Sequence, residues 1–216
     1  SWLSQVVMYK LFQGGSYYAL SAWVALCAAI SMAFVYGQMD GHPLFRGALL
    51  ILASAVASVV WSPRPQIISL VLFSIEGYLL YRYKRDRKQA FLIWILPLWV
   101  LWVNLHGGYV LGFILLGTVI LGEVLNQVLS RDLPDQLAWS EIGTLIVLGL
   151  LGWVLVLINP FGVGMWKIPF NTVGVETLQN LISEWSSPDF HQLFQQPMLW
   201  MLFLGLASLG LSKREI

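Results

Sequence analysis

The chain has 216 residues, of which 58% are hydrophobic, 14% aromatic and only 11% charged, with a mean hydropathy of +0.73. A soluble domain carries about 25% charged residues; this composition excludes a water-solvated globule and points to an all-α, polytopic transmembrane bundle. The net charge of +1, with no basic face interleaved with aromatics, leaves no nucleic-acid footprint, and a single cysteine excludes an internal disulfide and a cysteine metal site.

A bilayer-crossing helix needs ~20 mostly apolar residues. Segments of about that character run Ser16–Tyr36, Phe45–Trp61, Pro65–Tyr83, Ala90–Val103, Tyr109–Leu129, Ile142–Ile158 and Pro197–Ser212. They form a single transmembrane domain, about seven spans in all. The chain opens at Ser1 without a basic-then-apolar leader, and is expected to be a fragment of a longer protein.

In chain order, Ser1–Gly15 comes first, with Trp2, Leu3, Val6, Val7 and Leu11 suggesting a weak interfacial helix. After the second span, Pro63 and Pro65 flank Arg64. Pro65 suits the first turn of a helix, where its missing N–H costs nothing. Arg64, with Gln66 beside it and free N–H groups at the helix start, is then a candidate phosphate site. The plainer alternative is an arginine anchored to lipid phosphates. Glu76 lies in the third span, about 16 Å below Pro65 at ~1.5 Å per residue. A charged carboxylate at that depth costs ~2.5–3.5 kcal/mol, so it is expected to be protonated or paired, as a proton relay or as a hydrogen bond between helices.

The basic run Lys84-Arg85-Asp86-Arg87-Lys88 follows. Pro97 is expected to kink the short fourth span. Asn104 and His106 then precede Gly107-Gly108, which permit a tight turn and close approach. His106 is a candidate for proton transfer or ligation, or alternatively satisfies helix-end carbonyls. Glu123, near the end of the fifth span, is expected at the interface. Asn159-Pro160 reads as an N-cap and first helical residue with a structural role.

Beyond it, Val175, Leu178, Leu181, Ile182 and Trp185 recur at helical spacing and predict an amphipathic interfacial helix. Glu184, Asp189 and His191 form the richest polar cluster. They are candidates for acid–base work, with Asp189 and His191 candidates for a divalent metal, against the plain reading of a solvated, capped loop.

Charge sets the orientation. The run 84–88 is cytoplasmic by the positive-inside rule, and alternation puts nine of the twelve Lys and Arg on that side. Only Lys10, Arg64 and Lys167 fall outside. The clusters around Arg64, His106 and Asn159 and the segment 159–196 then share the extracytoplasmic face. No nucleotide-phosphate loop, Gly-x-Ser-x-Gly elbow or His-Glu-x-x-His motif is present.

Five features in order carry a resemblance: the Arg-Pro-Gln turn, the basic loop, Trp102-Val103-Asn104-Leu105-His106-Gly107-Gly108, Asn159-Pro160-Phe161-Gly162, and Ile182-Ser183-Glu184-Trp185-Ser186-Ser187-Pro188-Asp189-Phe190-His191. From about Trp2 to Leu211 the chain resembles bacterial polytopic membrane proteins related to the glycosyltransferase-C superfamily, which includes protein O-mannosyltransferase-like and aminoarabinose-transferase-like enzymes. The resemblance implies a cell-envelope enzyme of the bacterial plasma membrane. Such an enzyme takes a sugar from a polyprenyl-phosphate carrier on the extracytoplasmic face, in some relatives with a divalent metal. The key acid usually lies in the first outer loop. Here Trp2–Gln13 looks like the tail of that loop, and no Asp or Glu occurs before Asp40, so the expected catalytic residue lies upstream of Ser1. The resemblance gives Arg64 to the carrier phosphate, and His106, Glu184, Asp189 and His191 to the acceptor or metal side. The competing readings are a transporter or lipid-carrier translocase, which would use Glu76, and a non-catalytic membrane scaffold.

Overall fold

The computed structural model describes residues 2–129, 135–168 and 188–211, and every regular element among them is helical. Helix α1 spans Trp2–Tyr36, α2 Pro43–Ala57, α3 Gln66–Asp86, α4 Ala90–Ile93, α5 Ile95–Leu105, α6 Val110–Val128, α7 Trp139–Leu155 and α8 Gln196–Leu211. Short 3-10 turns follow α2, precede α6 and α8, and cover Gly162–Lys167.

Each apolar segment read from the sequence is helical in its described part, but length separates them. Trp2–Tyr36, Pro43–Val60 and Gly107–Val128 are long and apolar enough to cross a membrane. Ala90–Leu105, Trp139–Leu155 and Leu193–Ser208 are shorter apolar helices. Helix α3 has the length, at 21 residues, but Gln66, Glu76 and Arg82 lower its apolarity.

The breaks have identifiable causes. Within α1 the helix is interrupted at Gly15 and Ser16, where Ser16 takes φ 53° and ψ −145°. That is a backbone conformation L side chains rarely adopt. The segment before the break turns Leu3, Ser4, Val7, Met8 and Leu11 inward, while Trp2 and Val6 stay exposed. The inward stripe therefore differs from the one read in the sequence by about one residue's rotation.

The expected kink falls at Trp94, three residues before Pro97. Proline lacks the N–H that would bond Ile93, and its ring crowds that carbonyl. The flanking bonds, from Trp94 N–H to Ala90 and from Leu98 N–H to Trp94, are both stretched to 3.4 Å.

Helices α3 and α5 form the centre. Ile67, Leu72, Leu80 and Tyr83 of α3 and Ile95, Trp99, Trp102 and Val103 of α5 are buried. Helix α6 adds Leu116, and α7 adds Ile142 and Leu145. An aromatic run crosses this core: Trp99 stacks on Phe113 at 4.4 Å between ring centres, Phe113 meets Trp153 edge-on, and Trp153 stacks on Trp166. By contrast α2 buries none of its residues, and Leu44, Phe45 and Ile51 lie exposed along it. Phe203, Leu204 and Leu206 do the same on α8. Apolar side chains on the outside of an apolar bundle are what a lipid solvent allows and water penalises. The described residues are all-helical, with several apolar helices compatible with a multi-pass membrane protein.

Contacts between distant residues divide the bundle into two ends. At one end the start of α3 meets the end of α5 and the residues after α7. At the other, Lys84 pairs with Glu123 at 2.5 Å, Arg87 with Glu141 at 2.9 Å, and Arg85 with Asp40 at 3.4 Å. Arg87 closes α3 in a left-handed conformation (φ 57°, ψ 22°). It is held there by its bonds to Glu141 and to the Gln136 carbonyl. Glu123 is buried at this end of the bundle, because Lys84 and the N–H of Leu137 both come to its carboxylate.

Candidate functional site

The end that carries Arg64 and His106 holds most of the sequence-derived candidates. Its polar core is built around the turn after α5. The Ser69 hydroxyl lies 2.6 Å from His106 Nδ1, the Gly108 N–H donates to the same nitrogen at 3.1 Å, and Trp102 Nε1 donates to Ser69 Oγ at 2.8 Å. Gly108 is required by this packing. A Cβ there would sit 2.6 Å from Ser69 Oγ and 2.8 Å from His106 Nδ1. Gly107 meets only Ile168, at 4.0 Å. Burial lowers the His106 pKa, since desolvation disfavours the imidazolium. Burial thus favours the neutral imidazole.

Beside this turn, two asparagines clasp the helix ends. Asn104 Nδ2 donates to the carbonyls of Val100 and Ile158, both at 2.8 Å. Asn159 Nδ2 donates to the Val103 carbonyl at 2.9 Å and to Asn104 Oδ1 at 3.2 Å. Trp2 Nε1 also donates to Asn104 Oδ1, at 2.9 Å, which ties the first helix to the clasp. Asn159 is not the N-cap of an α-helix. Its Oδ1 accepts the Phe161 N–H at 2.9 Å in a local side-chain turn, and Gly162–Lys167 continues as a 3-10 helix with Phe161 in the cap position. Pro160 sits inside that turn rather than at a first helical position.

An open groove of about 530 Å³ runs beside the clasp, between Trp2 and Leu3 on one wall, Pro97, Val100 and Leu101 on another, and Ile158 and Pro160 on the third. Asn104 and Asn159 supply amides at its edge.

Arg64 is exposed at the start of α3. Two of the N–H groups expected to be free around it are already bonded. Helix α3 begins at Gln66, with Pro65 in the cap position rather than the first turn. The N–H groups of Ile67 and Ile68 are taken by the carbonyls of Arg64 and Pro65, at 3.2 and 3.1 Å. An anion at this end would be held by side chains, not by a bare helix terminus.

Asp189 and His191 lie on the approach to α8. Asp189 Oδ1 accepts the His191 N–H at 3.1 Å, Oδ2 accepts from the Gln192 side chain at 3.4 Å, and the Asp189 N–H donates to Gln195 Oε1 at 2.6 Å. These bonds are those of a capped loop. No group of three or more His, Cys, Asp or Glu side chains that could hold a metal occurs among the described residues. Glu184 and the amphipathic stretch 175–185 lie outside the described residues.

Glu76 is fully buried in the middle of the bundle. Trp99 Nε1 donates to its Oε2 at 3.1 Å, and Oε1 has no hydrogen-bond partner among the described residues. Gly112 gives the carboxyl its room, because any Cβ there would collide with Oε2 and with both tryptophans of α5.

Ser69 was not among the residues singled out in the sequence, and Trp102 entered only as part of the Trp102–Gly108 motif. A serine in an apolar span carries no signal by itself. Register does carry one: Ser69 stands seven residues from Glu76 on α3, and Trp102 three from Trp99 on α5, so one α3–α5 seam forms both pairs. No family model matches this chain, and no curated protein or solved structure shows significant similarity to it.

Proposed function

We propose that this chain is the membrane-embedded part of an enzyme that transfers a sugar from a polyprenyl-phosphate carrier at the end of the bundle bearing Arg64 and His106. The observation that carries the reading is the apolar groove opening onto the Asn104–Asn159 amides at that end. A volume of about 530 Å³ is within the range of small-ligand clefts. Its apolar walls suit a hydrocarbon chain, and a phosphate at the groove's polar edge would lie on the same end as Arg64, Gln66 and His106. The opposite end carries the basic run, and the positive-inside rule supports a cytoplasmic placement for it and an extracytoplasmic one for this end.

In the reaction an acceptor oxygen attacks the anomeric carbon, and the bond from that carbon to the phosphate oxygen breaks. The electron pair leaves with the polyprenyl phosphate, and the acceptor proton passes to a carboxylate. Asp189 or Glu184 would be that base. Arg64 would stabilise the leaving phosphate, because a guanidinium forks onto phosphate oxygens.

A charge-assisted hydrogen bond contributes about 1.5–3 kcal/mol, or roughly 10–100-fold in rate. In liposomes containing the full-length protein and a radiolabelled polyprenyl-phosphate hexose, Arg64→Ala should slow sugar release by that factor, while Glu76→Gln should leave it near the parent rate. An unchanged rate in Arg64→Ala would overturn the assignment.

The orphan oxygen of Glu76 favours a second reading, a proton-linked carrier. That reading gains if Glu76→Gln abolishes movement of the labelled lipid across the bilayer and Arg64→Ala does not.

A further inference from the structure

The hydrogen bonds around His106 determine where its proton sits. The Gly108 N–H can only donate, so its 3.1 Å contact with Nδ1 favours a lone pair there, and the shorter Ser69 contact decides the matter. Trp102 Nε1 can also only donate, and it donates to Ser69 Oγ. The Ser69 hydroxyl is thereby turned to give its own hydrogen to Nδ1. A neutral imidazole carries one hydrogen, which is left on Nε2. That nitrogen has no hydrogen-bond partner among the described residues. An Nδ1–H tautomer would set hydrogen against hydrogen at the Gly108 contact, and so would the imidazolium.

We propose that Ser69, oriented by Trp102, is a positioning residue that fixes His106 as a neutral imidazole with its proton on Nε2, so that this end of the bundle presents a rigid N–H donor to an anionic ligand oxygen. The tautomer follows from the hydrogen bonds alone; the ligand half rests on the reading of this end as a phosphate-handling site. A neutral donor differs in kind from Arg64. It adds direction without adding a second full charge, and its fixed ring needs no reorganisation when an oxygen arrives. His106 is thus removed from the list of general bases, because the lone pair a base would use is already doubly occupied.

The test is nitrogen NMR on the full-length protein, labelled at histidine and held in nanodiscs at neutral pH. The His106 signals are identified by their loss in His106→Asn. One-bond proton coupling is expected at Nε2 only, in a single species. Ser69→Ala should admit an Nδ1–H species as a second set of signals, and Trp102→Phe, which frees the hydroxyl to turn round, should admit less of it. A parent protein that shows Nδ1–H or the imidazolium overturns the proposal, as does a Ser69→Ala variant that keeps one Nε2–H species. A short-chain prenyl phosphate is then titrated into the parent protein. A shift confined to Nε2 supports the ligand half. No shift, with the Nε2–H tautomer intact, overturns the phosphate reading of this end and leaves the role of Ser69 standing.

Discussion

The two neighbouring glycines after His106 look alike in the sequence and differ sharply in what surrounds them. Gly108 is pressed against Ser69 and the imidazole, whereas Gly107 faces nearly open space. Overpacking a tight site costs about 1–3 kcal/mol, and a substitution with room around it stays within about 0.5 kcal/mol. Gly108→Ala should therefore lower the unfolding free energy of the detergent-solubilised protein by that larger amount in a chemical denaturation curve, and Gly107→Ala should not. Equal effects would mean that the serine–imidazole contact does not limit the turn. The Gly-Gly pair announced a close approach but could not say which glycine was needed, since that depends on Ser69, 39 positions before Gly108. Glu76 was legible in the same partial way. Its charge, set in an apolar run, marked it as paired or protonated, while its partner Trp99 is one of 11 tryptophans and carried no distinguishing mark.

At the level of helices, chain-local physics was the readable part. The missing N–H of Pro97 foretold a break, and the break came on the N-terminal side, where the displaced carbonyl lies. The boundary read between Ser1–Gly15 and the span from Ser16 coincides with the irregular backbone at Gly15 and Ser16. Asn159 was read as a local cap, and half of that survives in its bond to the Phe161 N–H. The other half is long-range: its amide reaches across to Val103 and Asn104 and fixes the end of α5 against the residues that follow α7. That division yields a prediction. Asn159→Ala loses all three bonds and leaves the Val103 carbonyl without this donor. Asn159→Asp keeps the acceptor for Phe161 but sets a carboxylate oxygen against the Val103 carbonyl and Asn104 Oδ1. Each broken bond to a buried group costs about 1–3 kcal/mol, more when a charge is stranded. Thermal unfolding in detergent should rank parent above Asn159→Ala above Asn159→Asp. If the aspartate proves the milder change, the clasp contributes less than the local turn.

For the whole molecule, the separation of polar chemistry into two ends was visible in the sequence because charge is costly inside a bilayer and collects where chain reversals fall. Which charges pair was not visible: Lys84–Glu123 and Arg87–Glu141 join residues 39 and 54 positions apart, and only the packing of α3 against α6 and α7 brings them together. The two-ended arrangement also has a direct test. Cys27 is the chain's only cysteine and is 3% exposed, so it gives little background to an impermeant maleimide. Single cysteines at Arg64 and Phe161 probe one end, and at Lys88 and Asp135 the other; all four positions are exposed. In intact spheroplasts, Arg64→Cys and Phe161→Cys should react, and Lys88→Cys and Asp135→Cys should react only after permeabilisation. The opposite pattern would invert the molecule and put the groove and His106 in the cytoplasm, where a carrier-linked sugar displayed on the outer leaflet could not reach them. If Arg64→Cys and Lys88→Cys react from the same side, α3 does not cross the bilayer. The polar seam of Ser69 and Glu76 would then lie along the membrane rather than through it, and the shared end on which the proposed chemistry rests would be lost.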